Sequence, residues 1–376
     1  MSDLAALLEL LYTARRRWRT VHATLDDWSH LERSHLAYER YLETSKGVRG
    51  PSLAVGAYGE QAGKYPRELS FTTRVWLDGR ERFREEREDQ GMVLVSNGGR
   101  AVIYSPESGP IEHEALRPTV DTLFDPAVLI PGLELDPAGP ARIAGRDALA
   151  VEARPREPAL APTDLVPAGC EAVMLHVDAE RGIVLRVEAR FDGEAVKRLE
   201  VRAVDFDIDL PDNLFAFEPP GDEAVRTAAE AYPSRHVTVE QAARTASFRL
   251  FSPLRLASRW HVHVIHRPAT ERPQLPEVVT MLFSDTESLH HFGIEQAGEA
   301  LLAWRVGDEE RVARDGVALR LIGGDKLPGP PLEVHLERDG TYIRVYSDNL
   351  DRSALIDVAT ALAPAPTELP PTSSAT

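Results

Sequence analysis

Between about Phe71 and Phe217 the chain alternates short apolar-rich segments with glycine turns, and that pattern commits it to antiparallel sheet. Val93–Val95 and Ala101–Tyr104 flank Asn97-Gly98-Gly99. Glu171–Val177 and Ile183–Phe191 flank Asp178-Ala179-Glu180-Arg181-Gly182, and Asp192-Gly193 follows at once. Asn-Gly and Asp-Gly supply the two positive φ angles that a tight hairpin turn needs. A meander of this kind usually holds a ligand or partner and has no intrinsic chemistry.

A change of phase predicts the sheet's shape. Ile183, Leu185, Val187, Ala189 and Phe191 are odd-numbered, as are Leu199, Val201 and Ala203, whereas Val204, Phe206, Ile208 and Leu210 are even. A period-2 strand switches phase only through a bulge or a sharp bend, so the sheet is expected to curl near Ala203–Val204.

The remaining segments fill in around this sheet. Leu4, Leu7, Leu8 and Leu11, extended by Ala14 and Trp18, form one apolar helix face. Thr20–Trp28 reads as extended, Leu31–Lys46 as a charged helix, and Ser52–Gly63 as loop. Phe71–Gly79 is a strand. Arg80–Asp89, where arginines interleave with carboxylates, suits an edge or a solvated face. Leu116–Pro131 reads as a short helix, Arg142–Ala153 as a strand, and the Pro-rich stretch Pro155–Gly169 as a surface loop. Glu218-Pro219-Pro220-Gly221 closes the unit, and a helical linker follows.

A second unit opens at Thr238-Val239-Glu240-Gln241, a capping box with Val237 placed to staple onto Ala242. Strands are expected at Trp260–Ile265, Val278–Phe283, Ala300–Val306 and Val317–Ile322. A hairpin follows over Glu333–Tyr346 across Asp339-Gly340, then a helix from Asp351. The domain expectation is therefore 1–220, a linker 221–236, a small α+β domain 237–363, and a disordered tail 364–376.

Composition excludes several function classes. The chain has 376 residues, enough for two domains of roughly 100–200 each. Its net charge of −17, from 43 basic and 60 acidic residues, argues against nucleic-acid binding. The single cysteine, Cys170, excludes an internal disulfide and a Cys-based metal site within one chain. No stretch approaches the roughly 18 to 20 apolar residues of a membrane span. Leu4–Tyr12 resembles a signal core, but Glu9 interrupts it and Arg15, Arg16, Arg17 and Arg19 follow it, so a cytoplasmic location is expected.

Chemistry-bearing clusters are sparse. His261 and His263 share a strand face, but His266 falls on the opposite one, so the trio does not converge on a metal. Gly59–Lys64 fails as a phosphate loop because Tyr58 and Tyr65 occupy its required positions. Cys170 has no basic neighbour and reads as an inert thiol. Arg15–Arg19 end an amphipathic helix, either as a contact for acidic lipid headgroups or as its solvated polar end. No catalytic residue, metal site or cofactor is assigned.

The order of elements resembles the bacterial lipoprotein-carrier superfamily of LolA, LolB and RseB-like proteins. The resemblance rests on the hairpin Gly91–Pro106, on Gly145-Arg146-Asp147-Ala148, on Val177-Asp178 with Gly182, and on Leu210-Pro211 through Pro220. Val237–Leu362 resembles a small domain of unknown function appended to such proteins in actinobacteria. The resemblance implies an α+β fold whose curled antiparallel half-barrel sheet, lidded by helices, encloses an apolar cavity for acyl chains or lipopeptides. The cavity-lining candidates are Trp76, Met92, Leu94, Ile103, Tyr104, Met174 and Phe206. They line such a cavity or form core beneath the N-terminal helix. The expected function is a non-enzymatic binding protein for an apolar ligand or a protein partner; the alternative is a cytoplasmic interaction module with a filled core.

Overall fold

The computed structural model describes residues 4–44, 67–79, 81–114, 116–118, 120–156, 165–221, 223–253, 260–272, 274–285, 290–299, 309–322, 332–347 and 350–367. The expected loop Ser52–Gly63, the expected strand Ala300–Val306, the middle of the Pro-rich stretch and the tail beyond Thr367 lie outside these residues. Contacts divide the chain into two units, Met1–Thr227 and Ala228–Thr376. Both are mostly sheet with few helices.

In the first unit, α1 (Leu4–Thr13) leads through a single 3-10 turn into β1 (Thr20–His30), which passes into α2 (Leu31–Thr44). Five strands follow: β2 (Glu68–Asp78), β3 (Arg82–Arg87), β4 (Met92–Asn97), β5 (Arg100–Ser105) and β6 (Gly109–Glu114). After α3 (Asp121–Phe124) come β7 (Leu133–Ile143), β8 (Arg146–Pro155), β9 (Ala172–Asp178), β10 (Val184–Phe191), β11 (Glu194–Phe206) and β12 (Arg226–Thr227). They form one twelve-stranded sheet in the order β12-β6-β5-β4-β3-β2-β1-β11-β10-β9-β8-β7. All pairings are antiparallel except the short parallel contact of β12 with β6. The two ends of the order do not meet, so the sheet is not closed into a barrel.

The turn chemistry appears where the sequence placed it. Asp192 (φ 50°) and Gly193 (φ 76°) both take the left-handed conformation between β10 and β11. The phase change also has its counterpart: β1 and β11 slip register where Thr24 faces Ala203 but Leu25 faces Val201, leaving Arg202 as the extra residue.

Three expectations need correction. The charged strand β3 is not an edge; it lies between β2 and β4. Its charges are neutralised in place, with Glu86 2.8 Å from Arg74 and 2.6 Å from Arg84, and Glu85 paired with Arg87 on the other face. Arg142–Ala153 is not one strand. A turn at Ala144 (φ 51°) and Gly145 (φ 75°) splits it into the β7–β8 hairpin, and alanine carries no turn signal. The linker is not purely helical, because β12 joins the first sheet before the chain leaves it.

The second unit begins with α4 (Ala228–Ala231), β13 (Arg235–Val237) and α5 (Val239–Thr245). The capping box is formed: Gln241 N donates to Thr238 Oγ1 (3.2 Å) and Thr238 N to Gln241 Oε1 (2.9 Å). Then follow β14 (Phe251–Pro253), β15 (Trp260–Arg267), β16 (Val278–Asp285), β17 (His291–Ala297), β18 (Glu309–Arg314), β19 (Val317–Ile322), β20 (Leu332–Arg338), β21 (Thr341–Ser347), α6 (Arg352–Thr360) and β22 (Leu362–Pro364). Eight of these strands form an antiparallel sheet ordered β13-β15-β16-β17-β21-β20-β19-β18. β17 and β18 escaped the sequence reading.

Val264, Met281, Ile294, Val345, Val334 and Leu321 form one registered row across that sheet, in a core shared with Ala242 of α5 and Leu355, Ile356 and Ala359 of α6. β22 pairs with β14, and Ala365 N donates to Leu250 O, so Pro364 and Ala365 are ordered rather than part of a disordered tail.

Candidate functional site

The pleat of the twelve-stranded sheet separates its two faces, because directly paired residues share a face and sequence neighbours do not. One face carries Val21, Ala23 and Leu25 of β1. Pairing extends it to Leu77, Val75 and Thr73 of β2, to Phe83 and Glu85 of β3, and to Leu94 of β4. In the other direction it runs through Val201 and Leu199 of β11 to Val187, Leu175 and Val151. Most of these side chains belong to one buried cluster with Leu7, Leu10 and Leu11 of α1 and with Leu123, Phe124, Leu129 and Ile130. This is the core face.

Two glycines let the helices come close. A Cβ on Gly182, at the β9–β10 turn, would stand 2.3 Å from the Leu10 carbonyl oxygen, so α1 rests directly on that turn. A Cβ on Gly169 would stand 1.7 Å from the Ala37 carbonyl oxygen of α2.

The seven candidate lining residues divide between the faces. Met92, Leu94, Ile103 and Phe206 lie on the core face; Trp76, Tyr104 and Met174 lie on the outer one. Ile103 and Tyr104 are adjacent in a strand and cannot share a face, a period-2 consequence already present in the sequence. Leu94 is buried in the core, with Ile103 packed against it. Phe206 lies near the guanidinium groups of Arg146 and Arg181, 5.1 and 5.2 Å from its ring centre. Trp76 stacks on His22 with ring centres 5.0 Å apart, and Tyr104 meets Phe217 at 6.0 Å. The segment after β11 therefore covers the outer face of β3 and β5, with Arg84 donating to the Leu214 carbonyl.

Not all of the core face is sealed. Phe71, Met92 and Ile103 are half-buried and Leu69 is exposed, along one end of β2, β4 and β5. Arg87 stacks over Phe71 at 4.4 Å and is paired with Met92 across β3–β4. Its partner Glu85 is fully buried. The sequence reading missed Leu69 and Phe71; their odd-numbered spacing with Thr73, Val75 and Leu77 was the available signal.

The outer face is charged. Glu188 sits among Arg186 (2.6 Å), Arg190 (2.7 Å) and Arg198 (3.0 Å). Burial pushes its carboxyl up, but the three guanidinium hydrogen bonds outweigh that and hold it down at about 2. Such a network is a structural ion cluster around a buried carboxylate and not acid–base machinery, because a carboxylate held this far down is a poor base at neutral pH.

Among the described residues, no three His, Cys, Asp or Glu residues converge as metal ligands. His261 and His263 are exposed, while His266 is buried on the opposite face. His266 Nε2 lies 2.6 Å from Glu277 Oε1 and Nδ1 3.3 Å from Thr245 Oγ1. This resembles a hydroxyl–imidazole–carboxylate triad, but the Thr245 hydroxyl already donates to the Gln241 carbonyl (2.9 Å), so it is a helix-end tether and not a nucleophile. Burial, then the nearby Glu171 charge, pushes the Cys170 thiol up to about 12.

No protein-family model matches the chain, and no curated protein matches it. Among solved structures it is similar to a chain of the Pseudomonas aeruginosa MucA/MucB complex, with 17% identity over 97% of this chain and 100% of that one, TM-score 0.34. It is also similar to a LolA superfamily protein from Nitrosomonas europaea (12% identity, 58% of this chain and 99% of that one, TM-score 0.24). A third is the lipoprotein LppX of Mycobacterium tuberculosis (11% identity, 53% and 94%, TM-score 0.27). At these identities and TM-scores the likeness brings no ligand or partner across.

Proposed function

We propose that this is a non-enzymatic binding protein that holds an apolar, acyl-like ligand at the open end of the core face. The observation that carries the reading is the contrast along that face. Val75, Leu77, Phe83 and Leu94 are sealed, while Phe71, Met92 and Ile103 beside them remain half-buried and Leu69 is exposed. An amphipathic sheet that leaves large apolar side chains uncovered at one end of its inner face offers a seat for apolar surface.

Organic extraction of the purified protein followed by mass spectrometry tests this, together with uptake of a fluorescent fatty acid. Replacing Phe71 and Met92 by serine should cut uptake several-fold with little loss of stability, since neither is fully buried. Absence of both an extractable apolar molecule and fatty-acid uptake would defeat the reading.

A second reading has its own support. Leu94 and the strand residues beside it already share one core with Leu7, Leu10 and Leu11 of α1. On that reading the face is filled by the chain itself and the protein recognises a protein partner. The same serine substitutions would then leave partner binding intact.

A further inference from the structure

Helix α1 reads Leu-Ala-Ala-Leu-Leu-Glu-Leu-Leu-Tyr-Thr, with Glu9 its one charged residue. Leu7, Leu10 and Leu11 are buried against the sheet. A helix docked by one face normally shows polar side chains on the other. Here the solvent side carries Leu4 (43% exposed), Ala5, Ala6 and Tyr12 (56% exposed), with Leu8 half-buried and Glu9 its single charged group. Leu4, Leu8 and Tyr12 are spaced four apart and so line up along one flank of the helix. The turn Pro126–Val128 packs against α1, and Val128 is 60% exposed. One exposed leucine needs no explanation, whereas several large apolar groups on one small surface do.

The arginines begin where this surface ends. Arg15 lies over the Trp18 ring at 3.8 Å. Arg17 bonds to the Thr13 hydroxyl (2.9 Å) and the Glu180 carbonyl (3.1 Å), both uncharged acceptors. Neither Arg16 nor Arg17 has a carboxylate partner among the described residues, and both are exposed. Arg19 makes an open pair with Asp209 at 3.3 Å. The acids nearby are Glu9, Glu180, Asp207 and Asp209, and Asp207 already holds Arg181 at 3.0 Å and the Arg19 amide at 2.8 Å.

We propose that this surface docks on a membrane bearing anionic lipids. Leu4, Tyr12 and Val128 enter the interfacial region, and Arg16 and Arg17 lie at the level of the headgroup phosphates. Apolar side chains beside unpaired arginines are the two contributions that hold an interfacial helix to such a membrane. Charge selects this occupant over a second copy of the chain. A copy would bring the same arginines to face these, and the same net charge of −17. That net charge opposes a general approach to an anionic bilayer, so the contact proposed is one through the α1 face. No described helix is long and apolar enough to cross a membrane, and the contact proposed is one of side chains with the interface.

Flotation of the full chain with phosphatidylcholine vesicles, with and without phosphatidylglycerol, tests the proposal. Binding is expected only with phosphatidylglycerol and should fall as salt is raised. Arg16→Glu should weaken it by about fivefold or more, from roughly the contribution of one cation at such a surface. Replacing Leu4 and Tyr12 together by serine should weaken it by about tenfold or more. Both changes are on exposed positions, so an unaltered urea unfolding curve confirms that the variants are folded. The proposal is overturned if the protein does not float with either vesicle, if the folded variants float like the parent, or if the same substitutions instead abolish a concentration-dependent dimer.

Discussion

Replacing Gly182 by alanine separates the strain of a turn from the seating of a helix. Gly182 takes φ +75°, and its Cβ would stand 2.3 Å from the Leu10 carbonyl oxygen. Gly193 takes φ +76°, with nothing within 4 Å of its Cβ position. Both substitutions therefore pay the left-handed cost of about 1 kcal/mol, but only Gly182→Ala must also push α1 away by about 1 Å. Leu7, Leu10 and Leu11 together draw about 5–9 kcal/mol from burial, and a gap of that size forfeits about a quarter to a half of the packing at the contact. Gly182→Ala should thus cost about 2–5 kcal/mol and Gly193→Ala about 1 kcal/mol. Urea unfolding followed by tryptophan fluorescence reads the difference, since three of the five tryptophans, Trp18, Trp28 and Trp76, lie in the first unit. Equal shifts for the two variants would show that α1 does not bear on the β9–β10 turn, and the description of the covered core face would fail.

Three further outcomes follow from particular side chains. Glu188 is held at about 2 against an ordinary 4.5, so the unfolded chain binds the extra proton between those values. Its stabilisation is complete above about pH 4.5 and is lost as pH falls toward 2, amounting to about 1–2 kcal/mol after discounting its half-exposed arginine partners. Glu188→Gln should flatten that part of the acid-unfolding profile, and an unchanged profile would contradict the assignment. Cys170, with its thiol pushed to about 12, should resist thiol reagents at neutral pH until the protein is unfolded; rapid labelling of the native protein would refute its burial. Thr238→Ala removes the capping-box acceptor and should cost about 1 kcal/mol in the unfolding of the second unit, with no effect on the first.

The division between what was legible and what was not follows the range of the forces involved. Turns at Asp192-Gly193 and Asp339-Gly340 are local: each needs two residues that tolerate positive φ, and the letters announce them. The phase change after Ala203 is equally local, and a bulge stands there. The Ala144-Gly145 turn was hidden because alanine takes a left-handed angle there without any intrinsic preference for it. The capping box and the apolar stripe of α1 could likewise be read directly, since each depends on residues within a few positions of one another.

Position within the sheet is another matter. The charges of β3 suggested an edge, because interleaved arginine and glutamate look solvated until Arg74, fixed on the neighbouring strand, is known to meet Glu86. Of the seven candidate residues, sequence parity could separate Ile103 from Tyr104. It could not place Trp76 or Met174 relative to Leu94, because that depends on which strands pair and in what register. On its own, then, the sequence determined most of the elements, the Asp-Gly turns and the bulge between β1 and β11, all governed by local dihedral preferences and side-chain period, while the register shifts within β7–β8, β9–β10 and β10–β11 carried no signal. Tertiary structure alone decided strand order, the face each apolar residue shares, and the end of the core face left open. Those depend on contacts such as Thr20 with Ile208, made between residues 188 positions apart.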